Sequence, residues 1–219
     1  MIKRKWLWIL GVIVILFLMG WAICRCKYQV EAKAMGASSA DKQSLPVYAQ
    51  LPAFELTDST GQAFRSSRLT HKIWVANFIF TSCTVSCPIL SAEMAKIAER
   101  FGENEQVQFV SISVDPETDT PEILATYKKK IHASENRWHF LTGDKKKIIN
   151  LMTAGFKLGF DGEPVFHTDY FVLVDGERNI RGFYSESDKK VFRTLPSDIE
   201  ALLGINPRNW LAQMLALLS

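Results

Sequence analysis

Apolar residues along this chain fall into runs of three kinds. The first is Trp6 to Cys24, nineteen residues without a charged side chain, which is long enough to cross a bilayer as a helix. The second kind is short and rich in β-branched residues: Ile73 to Phe80 and Val107 to Val114 predict strands buried on both faces. The third has helical spacing. After Pro88, the positions Ile89, Leu90, Met94, Ile97, Ala98 and Phe101 line one face of a helix that proline can open. Thr120-Pro121-Glu122 starts another, continued by Ile123 to Ile131.

Weaker signals complete the order. Phe54 to Phe64 reads as a hairpin around Asp58-Ser59-Thr60-Gly61, Trp138 to Leu141 as a short strand, and Lys145 to Ala154 as a helix. Tyr170 to Val174 and Ile180 to Tyr184 form a hairpin across Asp175-Gly176, and Leu195 to Leu203 is a closing helix. Parallel β-α-β units followed by a hairpin and a helix predict an α/β domain, a mixed sheet with helices on both faces in the thioredoxin order. The expected fold class is therefore thioredoxin-like with an N-terminal transmembrane helix. The expected parts are an anchor at 6–24, a flexible linker at 25–50, a domain at 51–203 and an amphipathic tail at 204–219.

Lys3, Arg4 and Lys5 precede the apolar run, and Gly20-Trp21-Ala22 loosely resembles a cleavage site, so a removed signal peptide competes with a retained anchor. The run exceeds the ~7–15 apolar residues of a signal core, which favours the anchor. Ile23 is too bulky for the position before a lipid-modified Cys24. Arg25, Lys27 and Lys33 nearly balance the charges on the other side, but a short basic amino terminus stays more easily in the cytoplasm. A single-pass protein of the inner (cytoplasmic) membrane follows, with its domain facing the periplasm. No Arg- and Ser-rich transit segment precedes the run.

Charge removes one class of function. The chain carries +3, yet residues 1–27 hold five basic residues and no acidic one, so the other 21 basic residues face 23 acidic ones, a net charge of −2. A nucleic-acid-binding face is not expected. Lys128-Lys129-Lys130 and Lys145-Lys146-Lys147 read as solvated helix faces, with docking of an acidic partner as the alternative.

Four cysteines form two close pairs, Cys24/Cys26 at the membrane edge and Cys83/Cys87 between a strand and a helix start. A disulfide closing so short a loop stabilises little, so Cys83/Cys87 reads as chemistry and Cys24/Cys26 as residues of no special role. Near the positive end of a helix dipole the thiolate form is favoured. Two thiolates suit soft Cu(I), and an imidazole completes a trigonal site for either copper oxidation state. Of the four histidines, His71, His132 and His139 read as surface or packed residues. His167 lies in the polar loop Asp161 to Thr168 directly before a strand, where a thioredoxin-like fold brings the chain past the cysteine motif.

These segments together resemble the Sco (SenC) family. The resemblance rests on Ala76-Asn77-Phe78-Ile79-Phe80 running into Thr81-Ser82-Cys83-Thr84-Val85-Ser86-Cys87-Pro88, on Val110 to Pro121 with its Asp115-Pro116 and Asp119-Thr120-Pro121, and on His167 before Phe171 to Asp175. It implies a copper chaperone of cytochrome c oxidase assembly, with one copper held by Cys83, Cys87 and His167. The implied partners are a copper-receiving oxidase subunit, a copper donor and a thiol reductant in the same compartment, and the membrane. Many members carry proline after the first motif cysteine, where this chain has Thr84, which leaves the ligands intact but can change loop stiffness. Asp115 and Asp119 match an acidic loop of the family; they read as strand-end and helix-start residues, or as docking or tuning groups.

The chief alternative is an enzyme, a tethered thiol-disulfide oxidoreductase that uses Cys83 and Cys87 as its redox pair to keep oxidase copper ligands reduced. A general reductase more usually shows Cys-x-x-Cys, and the extra residue together with His167 points to metal. A peroxidase is weaker, since Cys83 lacks the upstream Pro and Thr/Ser setting of a peroxiredoxin, although Asn77 in the approach distantly resembles glutathione peroxidases. A pure interaction module is the third class.

Overall fold

A computed structural model of the chain describes residues 45–84, 86–134, 136–159, 169–188 and 190–205. Two strands at the centre carry the fold. β4 (Ile73–Ile79) and β5 (Val107–Ser113) run parallel and in register from Ile73↔Val107 to Ile79↔Ser113, and every residue of both is buried. Continuous apolar runs of this kind are what parallel strands covered on both faces require.

Around them stand β1 (Ala49–Gln50), β2 (Glu55–Asp58), β3 (Ala63–Arg65), β6 (Trp138–Thr142), β7 (Tyr170–Val174) and β8 (Asn179–Ser185), in the order β1-β8-β7-β4-β5-β6-β2-β3. β6 is parallel to β5, whereas β7 is antiparallel to β4 and to β8. The helices are α1 (Ser86–Arg100), α2 (Pro121–Lys130), α3 (Lys145–Asn150) and α4 (Val191–Leu202).

Strand alternation divides the core into two layers. Trp74, Ala76 and Phe78 meet Ile148 of α3 and the following Leu151, Met152 and Phe156. Ile73, Val75 and Ile79 meet Leu90, Met94 and Ile97 of α1, Leu124 of α2, and Leu195 and Ile199 of α4. The parallel β4-α1-β5-α2-β6 unit, closed by the β7-β8 hairpin and α4, is a thioredoxin-like arrangement, as expected.

Four boundaries differ from the sequence reading. α1 begins at Ser86, two residues before Pro88, because a proline in the first helical turn sacrifices no hydrogen bond. Cys87 therefore lies inside the helix rather than in the loop before it. α4 begins at Val191 and passes through Pro196, held by the buried Leu195 and Ile199 on either side. The helix expected over Lys145 to Ala154 is α-helical only to Asn150 and continues as a π turn, Leu151–Gly155. Ordered structure also starts before residue 51: Tyr48 N–H donates to Ile180 O at 2.9 Å, β1 pairs with β8, and Leu45 O accepts from the Arg181 guanidinium at 2.5 Å.

The anchor at 6–24, Cys24, Cys26 and the tail beyond Ile205 lie outside the described residues. Among the described residues no helix is long and apolar enough to cross a membrane.

Candidate metal centre

β4 delivers the cysteine motif to the carboxyl end of the central strands. Val114 N–H donates to Ile79 O at 2.9 Å, extending the β4-β5 pairing, and Cys83 N–H donates to Phe80 O at 3.2 Å, turning the chain back towards α1. Cys87 N–H then donates to the Cys83 sulfur at 3.4 Å. Helix starts leave their first backbone N–H groups without intrahelical partners, and here one of them is satisfied by a side-chain sulfur. Cys83 is half-buried and Cys87 is 4% exposed, packed in the layer formed by Leu90, Met94 and Phe171. The outer cysteine is thus partly accessible while the inner one is bedded in the core.

A carboxylate lies directly behind this loop. Asp119 is 0% exposed. Its Oδ1 accepts from the Thr81 hydroxyl at 2.5 Å, and its Oδ2 accepts from Thr81 N–H at 3.1 Å and from the Ser113 hydroxyl at 2.5 Å. The turn that presents it is closed by Asp115 O, which accepts from Thr118 N–H and Asp119 N–H. Helix capping falls to the next residue, since Thr120 Oγ1 accepts from Ile123 N–H at 3.5 Å. Asp119 is therefore not the helix-start residue of the sequence reading. Its side chain points away from α2 and into the root of the cysteine loop.

Tyr127 is a neighbour that the sequence reading passed over. Its hydroxyl and that of Ser91 are 2.9 Å apart, linking α2 to α1. Its pKa is raised, first by burial and then by negative charge on Cys87, Cys83 and Asp119, against a lowering hydrogen bond from Ser91. Both thiols and the carboxylate thus act on one phenol. The signal was present in the sequence, because Tyr127 stands three residues after the buried Leu124 on the same face of α2.

Three of the four histidines are placed elsewhere. His71 precedes β4 at the opposite end of the sheet, where its N–H donates to Gly176 O at 3.0 Å. His132 follows the carboxyl end of α2 with φ 54°. His139 sits on β6 against the Phe64 ring, 4.9 Å between centroids, and its Nε2–H donates to Gln108 Oε1 at 3.0 Å. Burial, then the charges of Arg68 and Lys128, depress its pKa to about 4. His167 lies outside the described residues. Among the described residues no three His, Cys, Asp or Glu side chains gather to hold a metal ion. Asn77, the residue behind the peroxidase reading, is buried between the central strands and accepts from the Ser111 hydroxyl at 2.7 Å.

A dithiol at the amino end of the first helix of a thioredoxin-like domain defines a class of thiol and soft-metal proteins. The chain belongs within it to the SCO1/SenC family, whose sequence model matches residues 42–203. It is 28% identical over 162 residues to the SCO1 protein homolog of Bacillus subtilis, covering 71% of this chain and 84% of that one. The solved structure of BsSco, described as a member of the Sco family of cytochrome c oxidase assembly proteins with a disulfide switch, superposes with a TM-score of 0.66 at 26% identity, covering 75% of this chain and 100% of that one. Copper-bound ScoI of Bradyrhizobium japonicum superposes with a TM-score of 0.57 at 25% identity, covering 69% of this chain and 98% of that one.

Proposed function

We propose that this protein binds one copper ion through Cys83, Cys87 and His167 and delivers it to the copper-receiving subunit of cytochrome c oxidase. The observation that carries the reading is the placement of Cys83 and Cys87 at the start of α1, Cys83 half-buried and Cys87 buried, with Cys87 N–H donating to the Cys83 sulfur. Two thiolates match a soft ion, and this pair alone can hold Cu(I). His167 is included on the order of the chain. β7 pairs antiparallel to β4 with Ala76↔Val172, so Tyr170 enters the sheet at the end where β4 leaves for the cysteines. His167 precedes Tyr170 by three positions in the sequence, whereas His71, His132 and His139 stand elsewhere. Family membership and the copper-bound relative support the cargo, and the oxidase-assembly relative supports the recipient.

The proposal includes a retained anchor at 6–24 that holds the domain on the periplasmic side, near a membrane-embedded recipient. A periplasmic reporter fused after Ser219 should be active there and a cytoplasmic one inactive, and the reverse would overturn the topology.

His167→Ala distinguishes copper delivery from thiol-disulfide exchange. Exchange depends on thiolate character, leaving group and access, so the variant should reduce a test disulfide at a rate near wild type. Losing a ligand should weaken copper binding at least as much as losing a partner behind a ligand, about 10- to 100-fold. Cu(II) should suffer more than Cu(I). Unchanged affinity for both ions would remove His167 from the site. Undiminished exchange with no copper uptake by the wild-type protein would favour the oxidoreductase reading.

A further inference from the structure

We propose that Asp119 is the positioning residue of the dithiol: its buried carboxylate, tied to Thr81 on one side and Ser113 on the other, sets where the Cys83 sulfur stands relative to Cys87. The inference rests on the reading of Cys83 and Cys87 as the working pair, and extends it to a residue that holds the root of the loop carrying Cys83.

Burying a carboxylate completely is costly unless its oxygens are bonded. Asp119 gains nothing as a helix cap, because Thr120 performs that task. Its bonds instead cross to Thr81, whose N–H and hydroxyl both donate to it, and to Ser113 at the end of β5. Thr81 is two residues before Cys83, and two residues of chain reach at most about 7 Å. The Cys83 sulfur is then fixed from the other side by Cys87 N–H. One tether at the root of the loop and one at its sulfur leave little freedom in the distance between the two thiols. Cys87, Cys83 and Asp119 also act electrostatically on the same Tyr127 phenol.

Two readouts on the full chain test this, one of them free of metal. In the first, the thiols equilibrate with glutathione disulfide: the Cys83–Cys87 S–S bond forms, glutathione disulfide is cleaved to two glutathione thiols, and the two thiol protons pass to them. In the second, Cu(I) affinity is measured by competition with a chelator. Asp119→Asn leaves one acceptor oxygen and an NH2 that cannot accept, so the three donors of Thr81 and Ser113 can no longer all be satisfied as they are, and Thr81→Val removes one hydroxyl while leaving Asp119 bonded to Ser113. Each variant should weaken Cu(I) binding by about 10- to 100-fold and shift the disulfide equilibrium constant well outside error. Thr81→Ser restores the hydroxyl and should lie within about threefold of wild type in both.

Ser111→Ala is the structural control, since Ser111 bonds Asn77 and Trp138 between the same strands and does not touch the loop. It should lower the thermal midpoint without moving either readout. Wild-type values for both Asp119→Asn and Thr81→Val would overturn the proposal, as would an equal change in Ser111→Ala. If Asp119→Asn does not fold, Thr81→Val against Thr81→Ser decides alone. A wild-type protein that takes up no Cu(I), while the variants still shift the disulfide equilibrium, would overturn the copper reading and leave Asp119 in its positioning role.

Discussion

Cys87 donates its backbone N–H to the sulfur of Cys83 across 3.4 Å, so the inner cysteine holds the outer one by its main chain and leaves its own thiol in the core. The two residues of the pair are thereby unequal, although they are alike in the sequence.

Serine substitution should expose that inequality. Cys87→Ser sets a hydroxyl among Leu90, Met94 and Phe171 and should cost about 1–3 kcal/mol. Cys83→Ser, at a half-buried position where oxygen can still accept the N–H, should cost under about 1 kcal/mol. Both should lose high-affinity copper binding. Denaturant unfolding of the metal-free variants checks the asymmetry, and equal destabilisation would contradict the placement of Cys87.

Removing residues 1–50 should harm the domain more than removing residues 1–44. The longer truncation takes away the Leu45 carbonyl bonded by Arg181, the Tyr48 N–H bond to Ile180, the β1 pairing and the edge contact of Tyr48 with Phe183 at 5.6 Å. At about 1 kcal/mol net per hydrogen bond, the difference should reach about 2–4 kcal/mol. Thermal midpoints of the two shortened chains would then differ by roughly 5–15 °C. Equal midpoints would show that β1 adds nothing to the sheet.

Much of this architecture was legible because its causes are local. β4 and β5 announce themselves as unbroken apolar runs, and α2 announces itself through Thr120-Pro121. Proline misled at one boundary: Pro88 read as the place where a helix begins, yet a first turn tolerates proline and α1 starts at Ser86. β1 escaped notice since Ala49 and Gln50 are too few to show a period, and their order comes from β8, far along the chain. The cysteines were found by spacing. Asp119 was misread for the opposite reason: its partner Thr81 is 38 residues away, and no local pattern records that bond.

Alkaline titration should detect the charges around the site. Tyr127 ionises above its ordinary value because of burial and of the charges on Cys87, Cys83 and Asp119. Tyr184 does so because of burial and of Asp198, which accepts its hydroxyl hydrogen bond at 2.6 Å. Replacing both motif cysteines with alanine should lower the Tyr127 midpoint, since a phenolate gains from the loss of negative neighbours, and should leave that of Tyr184 in place. Following phenolate absorbance with Tyr127→Phe as the reference assigns the transition. A Tyr127 midpoint indifferent to the thiols would separate it from the site.

His139 should make the domain sensitive to mild acid. In the fold its proton binds only near pH 4, because burial first and then Arg68 and Lys128 oppose the imidazolium, while Asp58 supports it weakly and Lys72 adds to the opposition. Gln108 fixes the orientation of the ring: its amide nitrogen donates to Glu105 O at 2.8 Å, which turns its oxygen towards His139 Nε2–H. In the unfolded chain the imidazole titrates near its ordinary value of 6.5. Between these two values the unfolded state holds more protons than the folded one, so stability rises with pH across that interval and falls as pH drops through it. Above the unfolded value both states are neutral and the residue adds no slope. The loss is bounded by about 1.4 kcal/mol per pH unit, or about 3 kcal/mol across the interval. His139→Gln removes the titration together with the Phe64 contact, so it should lower stability at neutral pH and flatten the slope below it. The difference between wild type and variant cancels every contribution other than that of His139. Urea unfolding of both proteins at several values between about pH 4.5 and 7.5 gives that difference, and parallel curves would show that His139 is not held neutral by the fold.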